Sequence, residues 1–239
     1  MKKNTNSKVI IFGASGSIGN SLIDWFSSRD FFVYAVSRKN NKKNKKDNVK
    51  WINLDLSKDN NFKEIDDIQS IDAVVWAQGE NYSDNIYTFD RKNFESLIYS
   101  NVTYILETLS SLLESKKIKP EVRICIISSI WQNFAKQDKL SYTISKSAIK
   151  GLVSSLVIDL GSHGAMINAV LPGVLDTPMT KSNLSEEQID NIKKITPLDS
   201  LPELKDVANM VGFLCSNQNT GVTGQFIKVD RGFSNARII

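Results

Sequence analysis

The fold class is decided by KVIIFGASGSIG, residues 8–19. A short apolar strand runs into three glycines, and the periodic apolar residues that follow predict a helix. Glycines at such a turn let the backbone bend tightly and approach a pyrophosphate, while the helix N-terminus offers N–H groups to the anion. The segment therefore predicts a dinucleotide site. Its predicted cofactor-binding residues are Gly13, Ser15, Gly16, Ser17, Ile18 and Gly19.

Strands and helices alternate along the rest of the chain. The predicted strands are 8–12, 32–37, 50–53, 73–76, 123–128, 166–171 and 225–229. The predicted helices are 18–28, 90–115, 142–160, 185–194 and 204–215. Several strands are apolar on both faces, which is typical of a parallel sheet covered by helices on each side. We expect a doubly wound α/β (Rossmann) fold forming one domain over residues 1–239, because no linker, repeat or composition change marks a second domain.

Composition excludes several classes of function. Hydrophobic residues make up 41% and charged residues 23% of the 239 residues, as is usual for a globular protein. The net charge of +4 is concentrated in residues 38–50, where seven basic residues accompany one acid. We interpret these lysines as a solvated loop, because nucleic-acid binding would need interleaved aromatic residues or a known module.

Cysteine use and apolar run length bear on metal binding and location. Cys125 and Cys215 lie in apolar runs without CxxC spacing, and the chain has one histidine, so we expect no metal site. Buried thiols suit a reducing compartment. The apolar run 9–12 is too short for a signal peptide, and no 18-residue apolar stretch occurs. We therefore expect a cytoplasmic protein with no membrane partner.

The end of the second strand distinguishes the two nicotinamide dinucleotides. NAD sites usually place a carboxylate there for the ribose hydroxyls, whereas NADP sites use arginine for the 2′-phosphate. This strand ends VYAVSRK, and the first acid after it is Asp47. We expect NADP(H), bound by Arg38 with help from Ser37 and a diffuse field from a following lysine. The alternative is that Arg38 is an ordinary loop residue.

Four polar residues form a pattern with a chemical meaning. Tyr142 and Lys146 are spaced i, i+4 at the start of a predicted helix, Ser129 ends a buried strand, and Asn101 lies in the predicted helix 90–115. Hydride transfer to a carbonyl leaves an oxygen that needs a proton, and a neighbouring ammonium should lower the pKa of a tyrosine that supplies it. Ser129 can hold the carbonyl oxygen, and Asn101 can position a proton-relaying water.

On these residues the chain resembles the short-chain dehydrogenase/reductase family, from Lys8 to Phe233. The family's Asn-Ser-Tyr-Lys tetrad falls on the four residues above. The resemblance also implies cofactor contacts in WINLDLS, in WAQG and in LPGVLDTPM. The residues concerned are Asp55, Leu56, Ala77, Gly79, Pro172, Gly173, Val174 and Thr177. The segments from 171 to 198 and from 206 to 225 are similar to bacterial 3-oxoacyl-[acyl-carrier-protein] reductases.

Three features depart from the family pattern. The glycines are spaced by three, and the usual second glycine of the single-domain branch falls on Ser17. The Asn-Asn-Ala-Gly motif reads Trp76-Ala77-Gln78-Gly79, with Gly79 expected to approach the adenosine ribose. Arg231 replaces a glycine near the C-terminal tail, where it should concern the tail or subunit contacts.

The substrate side is less defined. Trp131, Phe134 and residues 137–140 are expected to line the substrate mouth, and residues 179–198 to form a lid. Helices 90–115 and 142–160 are apolar over more than one face, which indicates a homodimer or homotetramer. The expected substrate is a small or carrier-bound carbonyl, with a 3-oxoacyl thioester as one class. The alternatives are an enzyme acting on a sugar or nucleotide-sugar in surface-polysaccharide synthesis, and a non-catalytic NADP sensor. The glycine spacing hints at a nucleotide-sugar epimerase, but 239 residues leave no room for that branch's extra domain.

Overall fold

The structure is a computed structural model that describes residues 7–38, 46–55, 65 and 67–235. In these residues seven strands form one parallel sheet with the order β3-β2-β1-β4-β5-β6-β7. The strands are β1 Ser7–Phe12, β2 Phe31–Ser37, β3 Val49–Asn53, β4 Ile71–Trp76, β5 Ile118–Ile127, β6 Met166–Pro172 and β7 Phe226–Val229. The predicted doubly wound α/β class is confirmed.

Helices cover both faces of the sheet. They are α1 Ser17–Ser27, α2 Arg91–Ile98, α3 Tyr104–Glu114, α4 Leu140–Gly161, α5 Pro178–Asn183, α6 Glu186–Lys194 and α7 Leu204–Leu214. Strand residues alternate between two cores, as a pleated strand requires: Ile10 and Phe12 pack with α3 and α4, whereas Val9 and Ile11 pack with α1 and α7. No helix in the described part of the chain is long and apolar enough to cross a membrane.

Strand order determines where a ligand can bind. β1 pairs with β2 on one side and with β4 on the other, so the chain reverses its direction of winding between β1 and β4. In open parallel sheets the crevice beyond the carboxyl ends of the strands at such a reversal is the usual ligand site. Most of the predicted cofactor and catalytic residues that the structure describes line the crevice at this edge.

Most predicted boundaries, including those of α4, agree with the structure within two residues, and three elements differ by more. The predicted helix 90–115 is interrupted by a π-helical turn, Tyr99–Thr103, between α2 and α3. α4 begins at Leu140, so Tyr142 is its third residue rather than its first. β5 begins at Ile118, five residues before the predicted start, and α5 was not predicted. Asn101 lies within this π-helical turn, and its contacts in the site account for the turn.

Candidate active site

A crevice of about 950 Å³ runs along the carboxyl edge of the sheet. Sixteen of the predicted site residues line it: Gly13, Ser15, Gly16, Ser17, Ile18, Ser37, Arg38, Asp55, Ala77, Gly79, Ser129, Tyr142, Pro172, Gly173, Val174 and Thr177. Asn101 and Lys146 are buried next to this wall, and Gly19 is buried below the glycine turn. Leu56 lies outside the described residues.

The glycine turn fits the close packing expected of a dinucleotide site. Gly13 has a φ of +75°, and a Cβ there would lie 2.3 Å from the backbone nitrogen of Gln78. A Cβ on Gly19 would lie 2.3 Å from the carbonyl oxygen of Gly13. Ser17, which replaces the usual glycine, is exposed at the first position of α1. The three-residue spacing is therefore compatible with a normal turn, with an exposed loop in front of the N-terminus of α1.

Arg38 lies at the end of β2 and is paired across the crevice. Its guanidinium is 3.6 Å from the carboxylate of Glu80, which follows β4, and Ser96 Oγ donates to the same carboxylate at 2.9 Å. Lys46, at the end of the basic run, forms an ion pair of 2.7 Å with Asp24 of α1. This lysine is therefore already held by α1 in the structure. Residues 39–45 of the run lie outside the described residues.

In the WAQG segment, apolar packing takes the place of the asparagines of the family's Asn-Asn-Ala-Gly motif. The Trp76 ring is buried, stacks on Phe12 with centroids 5.5 Å apart, and donates from Nε1 to Thr108 Oγ1 at 2.9 Å. A Cβ on Gly79 would lie 3.0 Å from Asn101 Oδ1 and 3.4 Å from Lys146 Nζ. Gly79 therefore does more than line the crevice. Because it has no side chain, it also leaves room for two buried polar groups.

Three of the residues predicted to be catalytic lie close together beside the crevice. The Tyr142 phenol is near enough to the Ser129 hydroxyl for the two groups to interact. Lys146 Nζ donates to the carbonyl oxygen of Ile127 at 3.3 Å and lies 5.7 Å from the centre of the Tyr142 ring. Lys146 is only 4% exposed. A phenol, a hydroxyl and an ammonium are therefore close together beside the crevice.

Burial dominates the ionisation of this group. Burial raises the pKa of Tyr142, and the hydrogen bond with Ser129 partly offsets the increase. The prediction that Lys146 lowers this pKa is wrong for the structure described, because desolvation of the phenolate outweighs the other effects. Burial also lowers the pKa of Lys146 to about 8, since the charged ammonium is the form that loses hydration.

Asn101 joins two segments of the wall. Its Oδ1 accepts from the backbone N–H of Glu80 at 2.9 Å, and its Nδ2 donates to the carbonyl oxygen of Glu80 at 3.1 Å and to Ser145 Oγ at 2.9 Å. The π-helical turn carries Asn101, which is buried, and such wider turns are frequent at functional sites. The amide group is thus bonded to protein groups and holds the segment after β4 against α4.

Less regular segments form the rest of the crevice wall. Trp131 and residues 137–139, which were expected at the substrate mouth, line it together with Lys136 and with Thr180, Leu184 and Gln188 from the predicted lid, whereas Leu140 is not among the lining residues. Phe134, which was also expected at the mouth, is not among the lining residues: its ring packs against the core that contains residues of α3 and α4, with Lys228 Nζ 5.1 Å from its centre. This part of the wall combines an aromatic ring with charged side chains.

Comparison with known proteins identifies the family. A family model described as enoyl-(acyl carrier protein) reductase matches residues 13–234. The chain belongs to the short-chain dehydrogenase/reductase family. This family of oxidoreductases includes relatives that act on different substrates, so membership alone does not identify the substrate of this chain.

Two relatives illustrate the range of the family. A 3-oxoacyl-[acyl-carrier-protein] reductase of Buchnera aphidicola is 28% identical over 93% of this chain and 95% of its own length. A glucose 1-dehydrogenase of Gluconobacter oxydans is 27% identical over 95% and 91%. Among solved structures, ElxO with NADP bound has a TM-score of 0.84 and 24% identity, covering 97% of this chain and 100% of its own. The structural likeness shows the fold.

Some residues of this short-chain dehydrogenase/reductase site were not predicted from the sequence. Glu80 and Tyr104 line the crevice, and Ser145 connects Asn101 to the backbone of Tyr142, whose carbonyl oxygen accepts from Ser145 Oγ at 2.8 Å. Ser145 directly precedes Lys146, which is a weak signal in the sequence. Glu80 has no comparable signal, because its contact with Arg38 joins residues that follow two different strands of the sheet.

Proposed function

We propose that the chain is an NADP(H)-dependent oxidoreductase that interconverts a carbonyl and a secondary alcohol. The observation that carries this proposal is that Ser129, Tyr142 and Lys146 lie close together beside a crevice that the glycine turn and Arg38 also line. Hydride chemistry needs a proton donor beside the reacting oxygen and a cradle for a dinucleotide, and one crevice supplies both.

Each of the chain's own residues has a defined part in the reaction. Ser129 Oγ holds the substrate oxygen, and Tyr142 gives its phenolic proton to that oxygen during reduction or takes it back during oxidation. When bound, the nicotinamide supplies or accepts the hydride. Lys146 would hold the nicotinamide ribose with its ammonium. Asn101 keeps the segment of Gly79 and Glu80 beside Lys146, because its amide group is bonded to protein partners.

The dinucleotide would lie between the glycine turn and the β6 end of the crevice. The exposed loop of Ser15 to Ser17 would hold the pyrophosphate, and Pro172 to Thr177 would face the nicotinamide. Arg38 would bind the 2′-phosphate, which makes NADP(H) the preferred cofactor. ElxO, which shares the fold, carries NADP in its solved structure. Asp55 and Leu56 would face the adenine.

A 3-oxoacyl thioester is the substrate class we propose first, because the Buchnera reductase is similar over almost its whole length. A sugar is the second candidate, since the Gluconobacter glucose dehydrogenase is similar over a comparable length. Residues 179–198 would close over either substrate as a lid. Initial rates of NADPH oxidation with an acetoacetyl thioester, compared with NADP⁺ reduction by glucose, test the two directly. Binding of NADPH without turnover of any carbonyl in a broad panel would instead favour a sensor.

The first prediction concerns the cofactor. The unmodified protein should bind NADPH at least about tenfold more tightly than NADH, a difference of roughly 1.4 kcal/mol in binding free energy. Arg38→Ala should remove most of that preference. Glu80→Gln should act in the opposite direction and strengthen NADPH binding about two- to fivefold, because the Glu80 carboxylate competes with the 2′-phosphate for Arg38. The effect is small because the Arg38–Glu80 ion pair is exposed and contributes little free energy. Dissociation constants from fluorescence titration measure all of these.

Glu95→Gln is the matched control for Glu80→Gln. Glu95 pairs with Arg91 on the exposed surface of α2, so its substitution changes the net charge equally. It should leave both affinities unchanged. Equal affinities for NADPH and NADH in the unmodified protein would contradict the role of Arg38.

The second prediction tests the proton donor. Tyr142→Phe keeps the ring, so NADPH binding should be nearly unchanged while turnover falls by about 10²–10⁴-fold, the usual worth of general acid catalysis. Lys146→Ala should lose most turnover and also weaken NADPH binding, since its ammonium would hold the ribose. The role of Tyr142 as proton donor would be contradicted if Tyr142→Phe kept more than about a tenth of the turnover with any substrate that the unmodified enzyme reduces.

The third prediction concerns pH. Burial raises the pKa of Tyr142, so the phenol is protonated at neutral pH, which is the form that carbonyl reduction needs. Alcohol oxidation needs the phenolate and should therefore accelerate as the pH rises above 7, whereas reduction should not. Initial rates in both directions between pH 6 and 9 test this. An oxidation rate independent of pH over that range would contradict it.

The fourth prediction concerns assembly as a homodimer or homotetramer. Leu106 of α3 and Ile158 of α4 expose 47% and 81% of their surface, and Leu113 and Ile144 on the same helices are also exposed. A second copy packed on these helices would bury them. Analytical ultracentrifugation should show the oligomer, and a clean monomer at micromolar concentration would contradict it. Ile158→Glu should shift the equilibrium toward monomer.

A further inference from the structure

The N-terminus of α4 is capped by a residue from another part of the chain. Within the described residues, the N-cap residue Lys139 makes no capping hydrogen bond with its side chain. Asp84, in the loop after β4, takes this role. Its Oδ1 accepts from the backbone N–H of Ser141 at 3.0 Å, and its Oδ2 accepts from Ser141 Oγ. Its backbone carbonyl accepts from the N–H of Leu140 at 3.1 Å.

The Asp84 carboxylate is almost completely buried, with 2% of the residue exposed. A buried carboxylate is stable only when its oxygens accept hydrogen bonds, and the N-terminus of a helix adds a favourable partial positive charge. Both conditions are met at the first turn of α4. A carboxylate held in this way fixes the position of Ser141, whose N–H and hydroxyl both bind it, and Tyr142 follows directly.

Further hydrogen bonds fasten the same loop to the start of α4. The N–H of Asp84 donates to the carbonyl oxygen of Asp138 at 3.2 Å, and Asn85 Nδ2 donates to Asp138 Oδ1 at 2.8 Å. Lys139 Nζ donates to Asn81 Oδ1 and Ser83 Oγ, both at 2.8 Å. The contact therefore extends over several residues on each side, and Asp84 is its buried centre.

The loop is fixed at its other end by the catalytic site. Asn101 binds both backbone groups of Glu80, four residues before Asp84, and also binds Ser145 on α4. The loop from Glu80 to Asp84 thus connects Asn101 to the first turn of α4 by a path outside the helix itself. Tyr142 lies between these two attachments, one residue after Ser141 and three before Ser145.

We propose that Asp84 is a positioning residue for Tyr142: its buried carboxylate fixes the first turn of α4 so that the phenol meets Ser129. It acts through Ser141 and does not touch the reacting atoms. Small displacements of a catalytic group are costly, since about 1 Å can reduce the rate by about 10²-fold. This inference rests on the proposed function, because it concerns the placement of the proposed proton donor.

Asp84→Ala and Asp84→Asn test it in the full-length protein. Asp84→Ala removes both acceptor oxygens and should lower kcat about 10- to 100-fold, with the dissociation constant of NADPH within about twofold of the unmodified value. Asp84→Asn keeps one acceptor oxygen and should be intermediate, and it serves if the alanine variant fails to fold. Retention of kcat within twofold in a folded Asp84→Ala variant would overturn the proposal.

Asp90→Ala is the matched control. Asp90 also caps a helix with its carboxylate, because it is the N-cap residue of α2 and its Oδ1 accepts from the N–H of Asn93 at 2.8 Å, but Tyr142 is on α4. Its removal should lower the melting temperature while kcat stays within about twofold of the unmodified value. A loss of kcat equal to that of Asp84→Ala would show that any missing helix cap has this effect, and would overturn the specific role.

A spectroscopic measurement separates this inference from the proposed function. Ultraviolet difference absorbance against the same variant carrying Tyr142→Phe reports the ionisation of the Tyr142 phenol without any substrate. Because burial raises the pKa of Tyr142, displacement toward solvent in Asp84→Ala should let the phenol ionise at a lower pH. An unchanged ionisation would overturn the positioning role. A protein that binds NADPH but reduces no carbonyl would contradict the proposed reaction and leave this measurement valid.

Discussion

The burial of the Lys146 ammonium is the constraint on which the rest of the site depends. An ammonium that is 4% exposed loses most of its hydration, and burial lowers its pKa to about 8. Its surroundings must therefore bring polar atoms close. The carbonyl of Ile127 at the end of β5 accepts from it, and the absence of a side chain at Gly79 lets the backbone after β4 approach. Both contacts come from the carboxyl edge of the sheet, which explains why α4 must cross that edge.

The burial of Lys146 also accounts for the π-helical turn. A continuous α-helix over residues 90–115 would distribute its side chains at about 100° per residue. The turn Tyr99–Thr103 inserts an extra residue within this helix, and Asn101 in that turn reaches Glu80 and Ser145 together. Asn101 and Lys146 thus occupy neighbouring positions behind Gly79. The departure from regular helix geometry occurs where the polar groups must be brought together.

Local patterns of the sequence were sufficient to predict the sheet and most helices. Strands buried on both faces, glycines at the first turn, and the Tyr142–Lys146 spacing are each local features, and each corresponds to the predicted element. The π-helical turn was not predictable, because apolar periodicity continues through it. The Asp84 cap and the Arg38–Glu80 ion pair join residues distant in the sequence, and their formation depends on strand order.

The pKa of Tyr142 shows a second limit of sequence reasoning. The spacing of Tyr142 and Lys146 indicates proximity, from which a lowered pKa of the phenol was expected. The direction in the structure is opposite, because the phenol is buried as well as close to the ammonium. Proximity can be inferred from i, i+4 spacing, whereas the extent of desolvation depends on segments such as residues 128–139 that fold over the helix start.

The departures from the family pattern are compensated by contacts elsewhere in this chain. Arg231 has a φ of +54°, a conformation that glycine adopts more readily. Its guanidinium donates to Ser200 Oγ at 2.6 Å and to Asp206 Oδ2 at 2.9 Å, which joins the tail to the loop before α7 and to the start of α7. Trp76 replaces an asparagine and fills the core above Phe12. In both places a larger side chain supplies its own contacts. Because the crevice walls come largely from segments outside the sheet, we expect those segments to determine which substrate this short-chain dehydrogenase/reductase prefers.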